Sequence, residues 1–267
     1  MITLVTAWYI VKSKFNKEAY IKWMSNLLRN VEKFKLIIFT NKESVSIIEP
    51  LIKGNDNINV IMYEWEEFST YKLKEKWISN HHMNDSLNSK IHWKLNMLWN
   101  EKINMVKLVK DSLIFNNGLI GWCDIGYFRC RDRLDISEDQ LKEWPNINKL
   151  KELKKDKIYY CKVCNPKVLS YYARIVLDKN NKGLPKKQIP PDQISIAGGF
   201  FITDINNLDW YHKQYYDNLY NYFMNSYLIK DDQILVLDTI ISNLNKFELI
   251  EQKSGFDRWF GFQTFLI

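Results

Sequence analysis

Long apolar runs are missing from this chain: no stretch approaches the ~20 residues that a bilayer-spanning helix needs. Met1 leads straight into Ile-Thr-Leu-Val-Thr-Ala, with no basic leader and no small-residue cleavage site. The expectation is a cytoplasmic protein without a membrane span. Glycine is sparse, at 9 residues, and the stretch from Trp8 to Asn16 behind the first apolar run holds Lys12 and Lys14 but no glycine. A nucleotidyltransferase needs a glycine-rich basic loop there to approach phosphates with its backbone, so that class is disfavoured. Cysteine is limited to Cys123, Cys130, Cys161 and Cys164. The CxxC of Cys161 and Cys164 follows a strand-like run and precedes Pro166, whereas a redox CxxC opens a helix. A four-cysteine zinc site would have to draw on Cys123 from inside an apolar run, so reduced thiols are expected instead. Internal repeats and dividing linkers are absent.

Aromatic residues are abundant, at 15% with 10 tryptophans, enough to fill a core and still provide platforms for a base or a sugar face. The net charge of +7 and pI near 9.0 favour anionic partners. The positives are dispersed, and the densest run, Lys149 to Lys157, is mixed with Glu152 and Asp156, the pattern of a solvated helix face. Without a helix-turn-helix, RRM or finger pattern, nucleic acid is not the expected partner.

The first half alternates strand and helix signals. Apolar, β-branched runs at Ile2–Ala7, Leu36–Thr40 and Asn59–Trp65 read as strands, separated by amphipathic stretches at Glu18–Val31 and Glu43–Ile52. This β-α-β-α-β order predicts a parallel, Rossmann-like half sheet. Residues 66–90 are mixed and polar. Ile91–Val109 is the clearest helix, and Leu119–Cys123 a fourth strand. Asp132–Lys157 reads as helical and exposed, broken at Pro145. Ile158–Val163 and Ile194–Thr203 read as strands, with a Gly- and Pro-containing loop over 178–193 between them. Helices at Leu208–Tyr227 and Asp231–Leu244 and a strand at Phe247–Ile250 complete the chain. The fold class expected is a single α/β domain with a mixed, mostly parallel central sheet.

Four short motifs carry chemistry. In Trp122-Cys123-Asp124-Ile125-Gly126, followed by Arg129, a carboxylate stands at the C-terminal end of a buried strand, where open α/β sheets place ligand contacts; Gly126 permits close approach. Gly198-Gly199 interrupts an apolar strand, where missing side chains admit a ligand or a tightly packed neighbour. Asp231-Asp232-Gln233 opens a helix. Capping accounts for one acid, with Asp231 the expected cap, and leaves Asp232 and Gln233 for a substrate. Lys94 and Lys102 on the long helix can neutralise phosphate as point charges.

Taken in order, a first strand with Thr6-Ala7, an Asp-x-Gly strand end, a Gly-Gly strand and a late Asp-Gln helix start resemble the GT-A glycosyltransferases, including the retaining glycogenin-like group. Thr-Ala-x-Tyr near the start, Trp-Asn-Glu-Lys and Trp-Cys-Asp-Ile-Gly-x-x-Arg are similar to the HtrL/YibB-type bacterial proteins and related viral and fungal sequences. The resemblance spans nearly the whole chain through short motifs. It implies a GT-A fold, with a nucleotide-binding half over 1–126 and a sugar and acceptor half over 127–267. It also implies a nucleotide-sugar donor and a glycan or other hydroxyl acceptor. Thr6, Ala7 and Tyr9 would line the nucleotide pocket, with Lys94, Lys102, Asp124, Gly126, Arg129, Gly198 and Gly199 also on the donor. Asp232 and Gln233 would lie beside the anomeric carbon as the catalytic pair. Asp124 would match the first acid of a DxD motif and be the metal ligand. Gly126 replaces the second acid, and no histidine follows Asp232. A Mn²⁺ or Mg²⁺ cofactor is thus weakly supported, with Lys94, Lys102 and Arg129 as the groups to assist or replace it. A catalytically inactive glycan-binding domain is the remaining alternative.

Overall fold

The computed structural model describes residues 1–112, 118–129, 138–251 and 255–267. Seven strands form one sheet in the order β3-β2-β1-β4-β6-β5-β7: β1 Ile2–Ala7, β2 Phe34–Thr40, β3 Ile58–Met62, β4 Leu119–Cys123, β5 Ile158–Lys162, β6 Ile196–Asp204 and β7 Phe247–Glu251. β1 pairs in parallel with β2 and β4, β2 with β3, and β5 with β7. β6 runs antiparallel to both of its neighbours, β4 and β5. The sheet is therefore mixed and mostly parallel, with Ile2–Ala7 beside Leu119–Cys123.

Helices cover both faces. On one lie α1 (Lys17–Leu28), α2 (Val45–Ile52), α5 (Glu138–Glu143), α6 (Ile147–Lys151) and α10 (Gly261–Phe265), whose buried side chains join Leu4, Ile38, Cys123 and Phe200 in one core. On the other, α3 (Lys74–His82), α4 (Trp93–Asp111), α8 (Leu208–Met224) and α9 (Asp232–Ser242) pack on Val5, Ile37, Trp122 and Phe201. Burial on both faces is why β1 and β2 read as continuous apolar runs. α7 (Pro166–Leu177) lies at the edge of this second core, with Val176 as its one fully buried side chain. α3 falls in the polar region 66–90 and carries no strong apolar stripe; α7 follows the CxxC and turns Leu169, Tyr172, Ala173 and Val176, at helical spacing, toward the second core. Of the stretch expected to be helical and exposed, 132–137 lie outside the described residues, and so does Cys130. The remainder folds as α5 and α6, and Trp144 between them is buried rather than exposed.

α4 is buried on most of its surface and carries Asn96, Asn100, Glu101 and Lys102 into the interior. Buried polar groups need partners. Asn96 donates to the carbonyl of Ile229, and Asn100 accepts from the Tyr215 hydroxyl at 2.6 Å. Glu101 accepts from Ser69, Asn104 and Tyr63. These bonds fix the rotation of α4 about its axis and with it the direction of Lys102.

No described helix is long and apolar enough to cross a membrane.

Candidate active site

The sheet changes direction at β1. From it the chain runs outward to β2 and β3 on one side and to β4 on the other, so a crevice opens beyond the carboxyl ends of β1 and β4, the place where such sheets take ligands. Asp124 is the first residue past β4. β6 enters the same region because it is antiparallel, and its register against β5 jumps from Tyr160–Phe201 to Cys161–Ala197. Gly198, Gly199 and Phe200 bulge from that ladder. A bulge re-aims backbone groups: Gly199 O accepts from Asp124 N at 2.8 Å, and Gly198 O turns toward Lys102.

Both glycines are closely approached by side chains. A Cβ on Gly198 would lie 3.0 Å from Asp232 Oδ2 and 3.1 Å from Gln233 Cγ, and one on Gly199 would lie 3.1 Å from Asp124 Oδ2. The start of α9 therefore packs directly on the Gly-Gly backbone, bringing Asp232 beside Asp124 although they are far apart in the chain. Lys102 Nζ stands between them, 3.1 Å from Asp124 Oδ1, 3.0 Å from Asp232 Oδ2 and 2.8 Å from Gly198 O. Trp122 Nε1 donates to Asp124 Oδ1 at 2.6 Å and fixes that carboxylate from the strand side.

Burial and charge oppose each other here. Burial raises the Asp232 carboxyl to about 6, even though Lys102 pulls it down; Asp231 and Asp124 add to the rise. For Lys102 burial alone would lower the ammonium, but Asp124 and Asp232 together outweigh it and hold the charge firmly on.

A cleft of about 300 Å³ opens over this centre, walled by Lys14, Trp99 and Arg129 as well as by Asp231, Gln233 and Trp259. It joins a narrower slot of about 80 Å³ bounded by Ala7, Tyr9, Leu95, Trp99 and Gly126. Tyr20, Trp99, Lys102, Asp124 and Arg129 belong to both.

The structure thus brings together Ala7, Tyr9, Lys102, Asp124, Gly126, Arg129, Gly198, Gly199, Asp232 and Gln233. Tyr9 presents only its ring, because its hydroxyl donates to Tyr63 O at 2.6 Å. Two expected donor residues are elsewhere. Thr6 alternates to the α1 face of the sheet and is fully buried there. Lys94 lies over the Trp65 ring at 5.2 Å, at the start of α4. Eight residues separate it from Lys102, which puts it about 12 Å along the axis and about 80° around it. Asp231 corrects a further expectation. It occupies the N-cap position of α9 but makes no capping bond. Its carboxylate is buried, with one oxygen 3.2 Å from Lys230 Nζ and Oδ1 without a hydrogen-bond partner. Lys14, Tyr20 and Trp259 carry no site signal in the sequence; Trp99 stands in the Trp-Asn-Glu-Lys motif, and the excess of tryptophan is the other signal for the aromatic walls.

The donor set does not fit a divalent ion between the two acids. Lys102 already fills that position. A Cβ on Gly126 would lie 3.2 Å from Trp23 Cε3, so the place where a second motif acid would project is taken by an indole. No group of three or more His, Cys, Asp or Glu side chains suited to a metal occurs among the described residues.

No protein-family model matches the chain, and no curated protein sequence does. Among solved structures it is similar to mouse xyloside xylosyltransferase 1 in its apo form, at 11% identity over 94% of this chain and 85% of that one, with a TM-score of 0.49. It is also similar to the galactosyltransferase LgtC in complex with donor and acceptor sugar analogues, at 11% identity over 95% of this chain and 74% of that one, with a TM-score of 0.47. Both likenesses are remote, and the functional reading rests on the sheet order and the cleft.

Proposed function

We propose that this protein is a GT-A-type glycosyltransferase that moves a sugar from a nucleoside-diphosphate sugar to an acceptor hydroxyl. The observation that carries the reading is the convergence of Asp124, Gly198-Gly199 and Asp232-Gln233 on one cleft at the carboxyl ends of β1 and β4. These are the motifs whose order in the sequence resembles the GT-A enzymes. The narrower slot against Ala7, Tyr9 and Trp99 suits an aromatic base, and the wider polar cleft suits the diphosphate and sugar.

In the reaction the bond from the anomeric carbon to the leaving phosphate oxygen breaks. A bond to the acceptor oxygen forms, and the acceptor proton is lost. Asp232 carries the chemistry in this reading. A carboxyl raised to about 6 is a stronger base than an ordinary one and is still mostly ionised at neutral pH. In an inverting reaction it accepts the acceptor proton; in a retaining one it stands as the negative partner of an oxocarbenium-like centre. Gln233 orients the sugar beside it. Asp124, fixed by Trp122 and Lys102, receives hydroxyls of the donor.

A thermal-shift screen against UDP-, GDP- and CMP-sugars tests the reading, since a ligand that binds the folded state raises the melting temperature by mass action. A shift with one donor class, abolished in Asp124→Ala, is expected. A salt-sensitive shift of DNA with no response to any nucleotide sugar would instead make the chain a basic binding module.

A further inference from the structure

Two buried carboxylates outside the cleft wall are well served. Glu101 accepts from the Ser69 amide and hydroxyl, from Asn104 and from Tyr63. Asp238, 1% exposed, accepts from Lys179, Tyr222 and Ser242. Asp231 breaks this pattern. It is 4% exposed and makes no capping bond to α9. One of its oxygens lies 3.2 Å from Lys230 Nζ, and Oδ1 has no hydrogen-bond partner among the described residues. Buried polar atoms are normally paired, and this one belongs to a residue of the cleft wall.

The backbone that delivers Asp231 is firmly held. Asn80 of α3 pairs with both the N–H and the C=O of Ile229, at 2.8 Å each. Asn96 of α4 donates to Ile229 O and Lys230 O, and Asn84 donates to Lys230 O. The open oxygen is thus built into the segment that enters α9. A carboxylate only accepts hydrogen bonds, so its missing partner is a donor. Lys230 already supplies the counter-charge, which leaves a neutral donor as the fitting group. Ionised phosphate oxygens are repelled by like charge, whereas a hydroxyl fits. The terminal torsion of aspartate is broad, so the carboxylate can turn an oxygen to the cleft and keep Lys230. Asp232 and Gln233, the next two residues, line the same cleft.

On the glycosyltransferase reading above, we infer that Asp231 is a sugar-recognising residue: its carboxylate accepts a hydrogen bond from a hydroxyl of the carbohydrate bound beside Asp232, either the donor's sugar or the acceptor's.

Isothermal titration into the full chain tests this, with parent and Asp231→Ala compared. The ligands are UDP and GDP, their sugar conjugates, and free glucose, galactose, mannose and xylose. A melting curve checks folding, and Asp231→Asn, of the same shape, replaces the alanine variant if that one is unfolded. The bare nucleotide is expected to bind the variant no more weakly than the parent. If the hydroxyl is the donor's, the sugar nucleotide that binds loses about tenfold or more in the variant, as loss of a hydrogen bond to a charged group does. If it is the acceptor's, the sugar nucleotide is unchanged, and a free saccharide titrated with the bare nucleotide present loses about as much instead. Monodeoxy analogues of the affected sugar then locate the hydroxyl. One of them is expected to bind the parent about tenfold more weakly than the full sugar, and the variant no more weakly than the full sugar does. Equal affinity of parent and variant for every sugar nucleotide and saccharide would overturn the inference. So would a loss that extends equally to the bare nucleotide, which marks a structural role. If no nucleotide binds the parent, the glycosyltransferase reading fails. The saccharide titrations then decide the role of Asp231 alone: binding lost in the variant upholds it, and no binding to the parent overturns it.

Discussion

Lys102 Nζ lies 3.0 Å from Asp232 Oδ2, and both side chains are 8% exposed. Removing one partner of such a pair leaves an uncompensated buried charge and typically costs 3–5 kcal/mol. Lys102→Met is expected to lose roughly that much in urea denaturation, about 3 kcal/mol or more. Adding Asp232→Asn to it should recover part of the loss, because fewer unpaired charges remain. A single variant as stable as the parent would mean that the pair has no structural role.

The raised Asp232 carboxyl sets a pH dependence whose sign is fixed. Its value in the folded protein is about 6 against an ordinary 3.8. Between these values the unfolded chain ionises while the folded one keeps its proton. The contribution of Asp232 to stability is therefore greatest below about pH 4 and declines as pH rises through 6. Activity runs the opposite way if the ionised form works: kcat should rise along a limb near pH 6. Lys102 is the chief influence lowering this group, so in Lys102→Met the limb should move to higher pH. Asp232→Asn should remove the limb and lower kcat about 10²-fold or more if Asp232 is the general base. A pH profile unchanged in both variants would take Asp232 out of the chemistry.

Gly198→Ala would place a methyl 3.0 Å from the Asp232 carboxylate. The neighbour must give by a few tenths of an ångström, and what gives is the group proposed to react. Turnover is expected to fall at least about tenfold, because small misplacements of reacting groups are costly, with donor affinity and melting temperature little changed. A loss confined to stability, with turnover intact per folded molecule, would make the Gly-Gly strand a packing device only.

Much of this was legible in the sequence, and the reasons are physical. Parallel strands buried on both faces appear as apolar runs, and Asp124 follows one of them directly. Two glycines in another such run mark a close approach, here that of α9. What the pattern did not supply is orientation. Alternation sends Ala7 to the cleft side and Thr6 away from it, and a hydropathy run does not say which residue takes which face. Lys94 and Lys102 share a helix but not a direction. Lys14 and Trp259 reach the cleft through segments outside the regular elements, whose course no periodicity records. The helix α3 buries few side chains, so it leaves a weak apolar stripe; α7 does carry one, at Leu169, Tyr172, Ala173 and Val176, and was legible there.

Asp231 tests the same point from the other side. A capping acid replaced by alanine costs about 1 kcal/mol. Asp231 makes no capping bond and its buried carboxylate leaves Oδ1 without a hydrogen-bond partner, so Asp231→Ala is expected to cost less than the about 1 kcal/mol of a lost cap. A loss of about 1 kcal/mol or more in chemical denaturation would reinstate it as the cap of α9.

On the proposed reading, the cleft over Lys102 holds a nucleotide sugar and releases its sugar. Release of nucleoside diphosphate from a panel of UDP- and GDP-sugars by the purified protein, run beside Asp124→Ala and Asp232→Asn, measures this. Time-dependent release from one sugar nucleotide, lost in both variants while their melting transitions remain, is the result expected. No release from any donor by the parent protein together with no thermal shift, or equal release by parent and variants, would contradict it.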